Sequence, residues 1–292
     1  MFGLCLFYVN KGFIYSLMFL RQIKSLFSWL YLASFHVVLA VSVCTIAFFK
    51  LPDGHAPINW WLVLLTSNSA WIIYILDRII DNYSAETQNT NRHVFHQKHQ
   101  YTLQTAVVSL IIINISVLFF VSFEIIKLGI GTLLLVGFYF LIVQKTKKGK
   151  YYKEFMMPIV FCVAICGVPF TNSSSINLSS WYLAFMFFLI VIQNLLAFSY
   201  FENIENPEID NVTKVISPQK VRKYIFRLSG IIIFISIIFF TGGIEYSNKM
   251  ALILASISIL VSIIVSNPKY FSLNERYRWV IDFTLFLFLL IF

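Results

Sequence analysis

Long apolar runs divided by short polar segments organise this chain from about residue 27 to its end. They approach or reach the ~20 residues that a helix needs to cross ~30 Å of hydrocarbon. The runs fall near 27–49, 60–80, 103–123, 125–143, 155–171, 180–200, 225–241, 249–267 and 279–292. This pattern predicts an all-α fold, a polytopic membrane bundle of about nine transmembrane helices. A single integral membrane domain over 1–292, with 1–26 as a segment ahead of the first helix, is the economical organisation, because no 20–50-residue repeat divides the chain. Two runs are unusual. The fifth starts beside Pro158, and the ninth, at about 14 residues, would reach only about 21 Å.

Composition adds to this picture. The chain is 59% hydrophobic and 12% charged over 292 residues. That is half the charged share of roughly 25% in soluble domains, and such a surface is not kept in water. The basic residues then fix an expected orientation, because loops retained in the cytoplasm are enriched in Lys and Arg. All but Lys50, Lys127 and Lys249 of the 22 Lys and Arg fall in the N-terminal segment or in the loops after the second, fourth, sixth and eighth runs. The expected protein therefore sits in a cell inner membrane or its equivalent, with its N-terminus cytoplasmic and its C-terminus outside. The same asymmetry accounts for the net charge of +9, so no nucleic-acid partner is expected.

Several other features have plain readings. Residues 1–20 are basic and apolar, but Arg21 and Lys24 follow the apolar stretch and no small-residue cleavage pattern is present, so no cleaved leader is expected. Met18 is an alternative start. Cys5, Cys44, Cys162 and Cys166 lie in or beside apolar segments as small core residues, without the second pair that a zinc site requires. His93, His96 and His99 are spaced at i, i+3 and i+6, which does not converge on one helical face, and they read as solvated loop histidines.

Acidic residues near membrane depth are costly and mark function by default. Asp77 and Asp81 lie about 40° apart on one face of the second helix, with Cβ atoms roughly 5–6 Å apart. Two carboxylates so placed repel, and near a helix C-terminus the dipole opposes them by about 0.3–1 kcal/mol each. A divalent cation would satisfy both, and Mg²⁺ in particular takes one or two carboxylates with phosphate oxygens. The sixth run repeats the theme. It carries Gln193 and Asn194 within it and Glu202 and Glu205 at its inner end, with Glu208 and Asp210 beyond Pro207. Two acidic helix ends amid basic loops suit a metal-bridged diphosphate. Arg92, which follows the acidic pair and can grip phosphate bidentately, and Lys145 and Lys153 are candidate anion contacts. Structural ion pairing at the water boundary is the alternative for each of these residues.

At these residues the chain resembles the UbiA superfamily of intramembrane prenyltransferases. That family's first motif is Asn-Asp-x-x-Asp-x-x-x-Asp at the cytoplasmic end of helix two. Asp77-Arg78-Ile79-Ile80-Asp81 matches its second half, and Asn91-Arg92 stands where a family Asn-Arg-Pro often follows. Tyr139, Lys145 and Lys153 match the basic loop after helix four. Ile73 and Tyr74 replace the motif's first Asn and Asp. The second motif's positions align with Tyr200, Asn203 and Pro207, the acids being displaced to Glu202, Glu205, Glu208 and Asp210.

The resemblance implies transfer of a prenyl group from a prenyl diphosphate to a lipophilic acceptor, with aromatic compounds and quinone precursors among the candidates. Asp77 and Asp81 would act as catalytic and metal residues with Mg²⁺, Glu202 and Glu205 would add metal contacts, and Arg92, Lys145 and Lys153 would bind the diphosphate. Phe and Tyr, 31 and 15 in number, would line an apolar cavity. A UbiA-like protein that binds isoprenoid or lipid without chemistry is the alternative, and a transporter ranks last, because no pair of broken half-helices is evident.

Overall fold

The protein, described here as a computed structural model, is defined for residues 28–84, 91–145, 151, 153–173, 176–239 and 244–292. Every regular element among these residues is helical. They are α1 (Phe35–Phe49), α2 (Trp60–Ser84), α3 (Asn91–Lys98), α4 (Gln100–Val117), α5 (Phe123–Lys145), α6 (Lys153–Asn172), α7 (Leu178–Glu205), α8 (Pro218–Phe239), α9 (Glu245–Ser266), α10 (Pro268–Phe271) and α11 (Arg276–Thr284). A 3₁₀ segment, Leu285–Ile291, closes the chain.

Six helical stretches are long and apolar enough to cross a membrane: Trp60–Ile80, Gln100–Phe120, Phe123–Ile142, Lys153–Asn172, Leu178–Glu205 and Glu245–Ser266. Three predicted spans fall short for separate physical reasons. α1 has 15 residues, about 22 Å of rise. α8 has the length but opens with Lys220, Arg222, Lys223 and Arg227. The last segment changes winding, and its 3₁₀ portion climbs about 2.0 Å per residue instead of 1.5. α11 with Leu285–Ile291 thereby covers about 27 Å, more than the plain α-helix expected from its length.

Burial separates helices of similar hydropathy. Only 22% and 17% of the most apolar stretches of α4 and α5 are buried, against 61% of α7. Ile111, Ile112, Leu133 and Leu134 are exposed. Apolar surface on this scale has no place in water and belongs against lipid; the fold is that of an integral membrane protein. α7 is the central post. It packs on α6, α8 and α9, while α1 packs on α2, α6 and the terminal 3₁₀ segment. The largest core gathers Cys44, Phe48, Phe187, Ile190, Leu254 and Phe288 from these elements. Cys44 and Cys166 are buried and, with Cys162, free, as their apolar surroundings predict.

One buried polar knot crosses this core. The Gln193 side-chain NH₂ donates to Ser229 Oγ at 2.7 Å and to the Ser258 carbonyl at 3.2 Å, and its Oε1 accepts from Ser258 Oγ at 2.7 Å. Ser229 Oγ also meets Ser262 Oγ at 2.6 Å. The knot fastens α7 to α8 and α9 where the surroundings offer no water. Replacing Gln193 with Leu is expected to cost about 0.6–1.7 kcal/mol, read as earlier unfolding in a denaturing-detergent titration with helix content unchanged.

The first helix is broken before α1 starts. Ser34 takes φ 64°, which leaves the Leu32 and Ala33 carbonyls outside the backbone ladder. His96 Nε2 meets the Leu32 carbonyl at 3.2 Å and Trp71 Nε1 donates to the Ala33 carbonyl at 2.9 Å. His96 is therefore 1% exposed and not the solvated loop residue expected. A carbonyl only accepts, so its Nε2 carries the proton. Nearby, His36 bonds Asp282 at 3.0 Å, and Tyr31 stacks on Trp279 at 3.8 Å between ring centres, joining the chain's first and last described helices.

Candidate functional site

The site begins with where α2 and α6 start and stop. α2 runs to Ser84, almost two turns past Asp77, so the dipole penalty expected at a helix end, which acts within the last turn, falls away for Asp77. α6 begins at Lys153, two residues ahead of the run read from about 155. A proline near a helix start forfeits one backbone bond, here to the carbonyl of Glu154, without ending the helix. The earlier start places Lys153 and Glu154 in the first turn, where Glu154 also suits the positive end of the helix dipole.

These placements bring three helices together. Asp77 on α2 is 7% exposed. Its Oδ2 accepts from Lys153 Nζ at 2.9 Å, and its Oδ1 from the same ammonium at 3.1 Å. Tyr139 of α5, fully buried, donates its hydroxyl to Oδ1 at 3.0 Å. The charge expected to seek a metal is thus held by a lysine and a phenol. Replacing Tyr139 with Phe removes a buried bond to a charged acceptor, and a loss of about 1.5–3 kcal/mol is expected in detergent unfolding.

Glu154, next in sequence to Lys153, faces the other way. It is 5% exposed, accepts from Ser199 Oγ at 2.6 Å and from the Val212 N–H at 3.3 Å through Oε1, and its Oε2 has no hydrogen-bond partner among the described residues. Asn211, in the loop after α7, donates to the Ser199 carbonyl at 3.1 Å. The pair Lys153–Glu154 therefore clips α6 to α2 on one side and to the end of α7 on the other. Sequence reading passed over Glu154, although an acid opening an apolar run is itself a signal.

The α7 acids are also committed. α7 ends at Glu205, ahead of Pro207 as expected. Glu202 accepts from Arg278 at 3.0 Å, Glu205 accepts from the Tyr277 hydroxyl at 3.2 Å, and Glu275 lies 3.1 Å from Arg278. The Arg278 side chain is largely buried between the Glu202 and Glu275 carboxylates, which balance its charge. On α2, Arg78 lies over the Tyr74 ring at 5.2 Å and donates to its hydroxyl at 3.3 Å. Glu208 meets Lys214 at 3.4 Å in the loop.

Asp77 and Lys153 are thus brought together, and Glu202 with Glu205 form a separate group around Arg278. The side chains of Asp81, Arg92 and Lys145 lie outside the described residues. No three His, Cys, Asp or Glu side chains among the described residues converge on a common metal position. Comparison with family models, curated proteins and solved structures finds no match. The functional reading therefore rests on the residues themselves.

Proposed function

We propose that this protein is an intramembrane prenyltransferase of the UbiA kind, moving a prenyl group from a prenyl diphosphate to a lipophilic acceptor. The observation that carries this reading is the meeting of Asp77, Tyr139 and Lys153 from three helices. Each is a position that the sequence resemblance singles out, and they lie far apart in the chain. The nine membrane crossings, with the N-terminus cytoplasmic and the C-terminus outside, belong to the same proposal. It counts α1, α8 and the last segment as crossings despite their short, charged or rewound character.

In this reading Lys153 is the movable charge. Its side chain is partly exposed while that of Asp77 is not, so the ammonium is placed to leave the carboxylate for an arriving phosphate oxygen. Tyr139 then keeps the carboxylate oriented. Mg²⁺ suits Asp77, with Asp81 one turn later on the same helix, because it takes one or two hard carboxylate oxygens alongside phosphate and water. When bound, it would withdraw charge from the departing diphosphate. The bond from the prenyl C1 to the diphosphate oxygen breaks, its electron pair leaves with the diphosphate, and the acceptor bonds C1 while its proton passes to the released diphosphate. Lys153, with Arg92 and Lys145, would neutralise the leaving group, and the apolar surroundings would keep water from the allylic cation. Tyr74, standing where the family has an acid, holds Arg78.

A second reading has its own support. Asp77 and Glu202 are already neutralised by Lys153 and Arg278, which suits a protein that binds isoprenoid or lipid without reacting it. The two part on one assay. Protein in nanodiscs of total membrane lipid, which supplies lipophilic acceptors, given Mg²⁺ and prenyl diphosphates of several chain lengths, is expected to release inorganic diphosphate and yield a prenylated lipid. Retention of intact diphosphate at every chain length would establish the binder instead.

A further inference from the structure

The first three turns of α8 carry a group of charges that the site above does not use. Lys220, Lys223, Tyr224 and Arg227 line a surface cavity of about 210 Å³. A second cavity of about 540 Å³ shares Lys223 with it and is walled by Tyr200, Asn203, Ile204, Gln219, Arg222 and Phe226. No acidic side chain lines either one. Among the described residues no carboxylate pairs with Lys220, Lys223 or Arg227, although Glu202, Glu205 and Glu208 stand nearby in sequence and find other partners.

The rest of the same helix says what covers these charges. Val221, Ile225, Ser229, Ile232, Ser236 and Phe239 are buried against the bundle. The outward face reads Lys223, Arg227, Ile231, Phe234 and Ile238, all exposed and stepped at three and four residues, so they form one stripe. The stripe is cationic for its first turns and apolar thereafter. From Arg227 to Ile238 it rises about 16 Å, close to half of a ~30 Å hydrocarbon core and so to one leaflet. A soluble anion would use the charges and leave the apolar remainder unexplained, whereas a molecule with a phosphate head and acyl tails uses the whole stripe.

We propose that this face of α8 is a binding site for an anionic phospholipid, its phosphate held by Lys220, Lys223 and Arg227 and its acyl chains laid along Ile231, Phe234 and Ile238. The bound lipid screens the mutual repulsion of the three cations and fixes the level of α8 in the bilayer. The site is distinct from Asp77 and Lys153 and stands whichever functional reading holds.

The test uses the full chain in neutral detergent, with phosphatidylglycerol or phosphatidylcholine added and retained lipid counted by native mass spectrometry. Wild type is expected to retain phosphatidylglycerol at least about tenfold better than phosphatidylcholine. The triple variant Lys220→Gln, Lys223→Gln and Arg227→Gln is expected to lose that preference, and Lys220→Arg with Lys223→Arg to keep it. Equal retention of the two lipids by wild type, or an undiminished preference in the triple variant, overturns the proposal. Inorganic phosphate is expected to lower retention no more than sodium chloride of equal ionic strength does; displacement by phosphate beyond that would show a free-anion site and overturn the proposal. Should the triple variant not fold, a salt titration of wild type decides, because headgroup pairing weakens with ionic strength and a preference indifferent to salt refutes it.

Discussion

Asp77→Ala is expected to abolish diphosphate release and to lower the unfolding free energy by about 3–5 kcal/mol, because it removes a buried carboxylate that both the Lys153 ammonium and the Tyr139 hydroxyl bind. Loss of activity in that variant alone would not separate chemistry from folding. The double variant Asp77→Leu with Lys153→Met does so. Replacing a buried ion pair by apolar residues of similar size is often neutral or stabilising, so detergent unfolding should recover from the Asp77→Ala level to within about 1.5–3 kcal/mol of wild type, the cost of the lost Tyr139 bond, while prenyl transfer stays absent. A double variant that is stable and still active would remove Asp77 and Lys153 from the chemistry. One that remains as unstable as Asp77→Ala would show that the pair's fit, and not its charge balance, matters to the bundle.

The second large effect is expected at Arg278. It is the common partner of Glu202 and Glu275. Arg278→Met leaves two carboxylates without their cation, and a loss of about 2–3 kcal/mol is expected. That sits below the figure for a fully buried pair because the Glu202 and Glu275 side chains are 25% and 37% exposed. Glu202→Gln alone should cost less, since Arg278 keeps Glu275. Combined with Arg278→Met it should recover part of the loss, and thermal unfolding of the four proteins gives the coupling directly. Strict additivity would mean that the crossing between α7 and α11 is held by packing around Tyr277 and Phe201, which stack at 4.5 Å.

How much of this was legible depends on the distance over which each signal acts. The helices were readable because a crossing segment must be apolar along its own length, and the runs from 60 to 266 declare themselves locally. Asp77 and Lys153 stood out as charges in an apolar setting, but their pairing did not, since 76 residues separate them. His36 and Asp282, separated by 246, left no local trace. His96 leaves no local trace either: its partner is a carbonyl freed by a break at Ser34, and nothing in the sequence around Ser34 announces left-handed backbone. The fifth run, read near 155–171, agrees with α6 at Lys153–Asn172, because a proline five residues into a helix costs one bond and no more.

The break at Ser34 bears on how the protein is made. The two carbonyls it exposes are met by Trp71 and His96, which leave the ribosome some forty and sixty residues after the break has formed. Until α2 and α3 follow, these two carbonyls lack the partners that the finished fold gives them. Co-translational insertion of a chain truncated before Trp71 should accordingly stall or slip, and the same chain extended past His96 should lock.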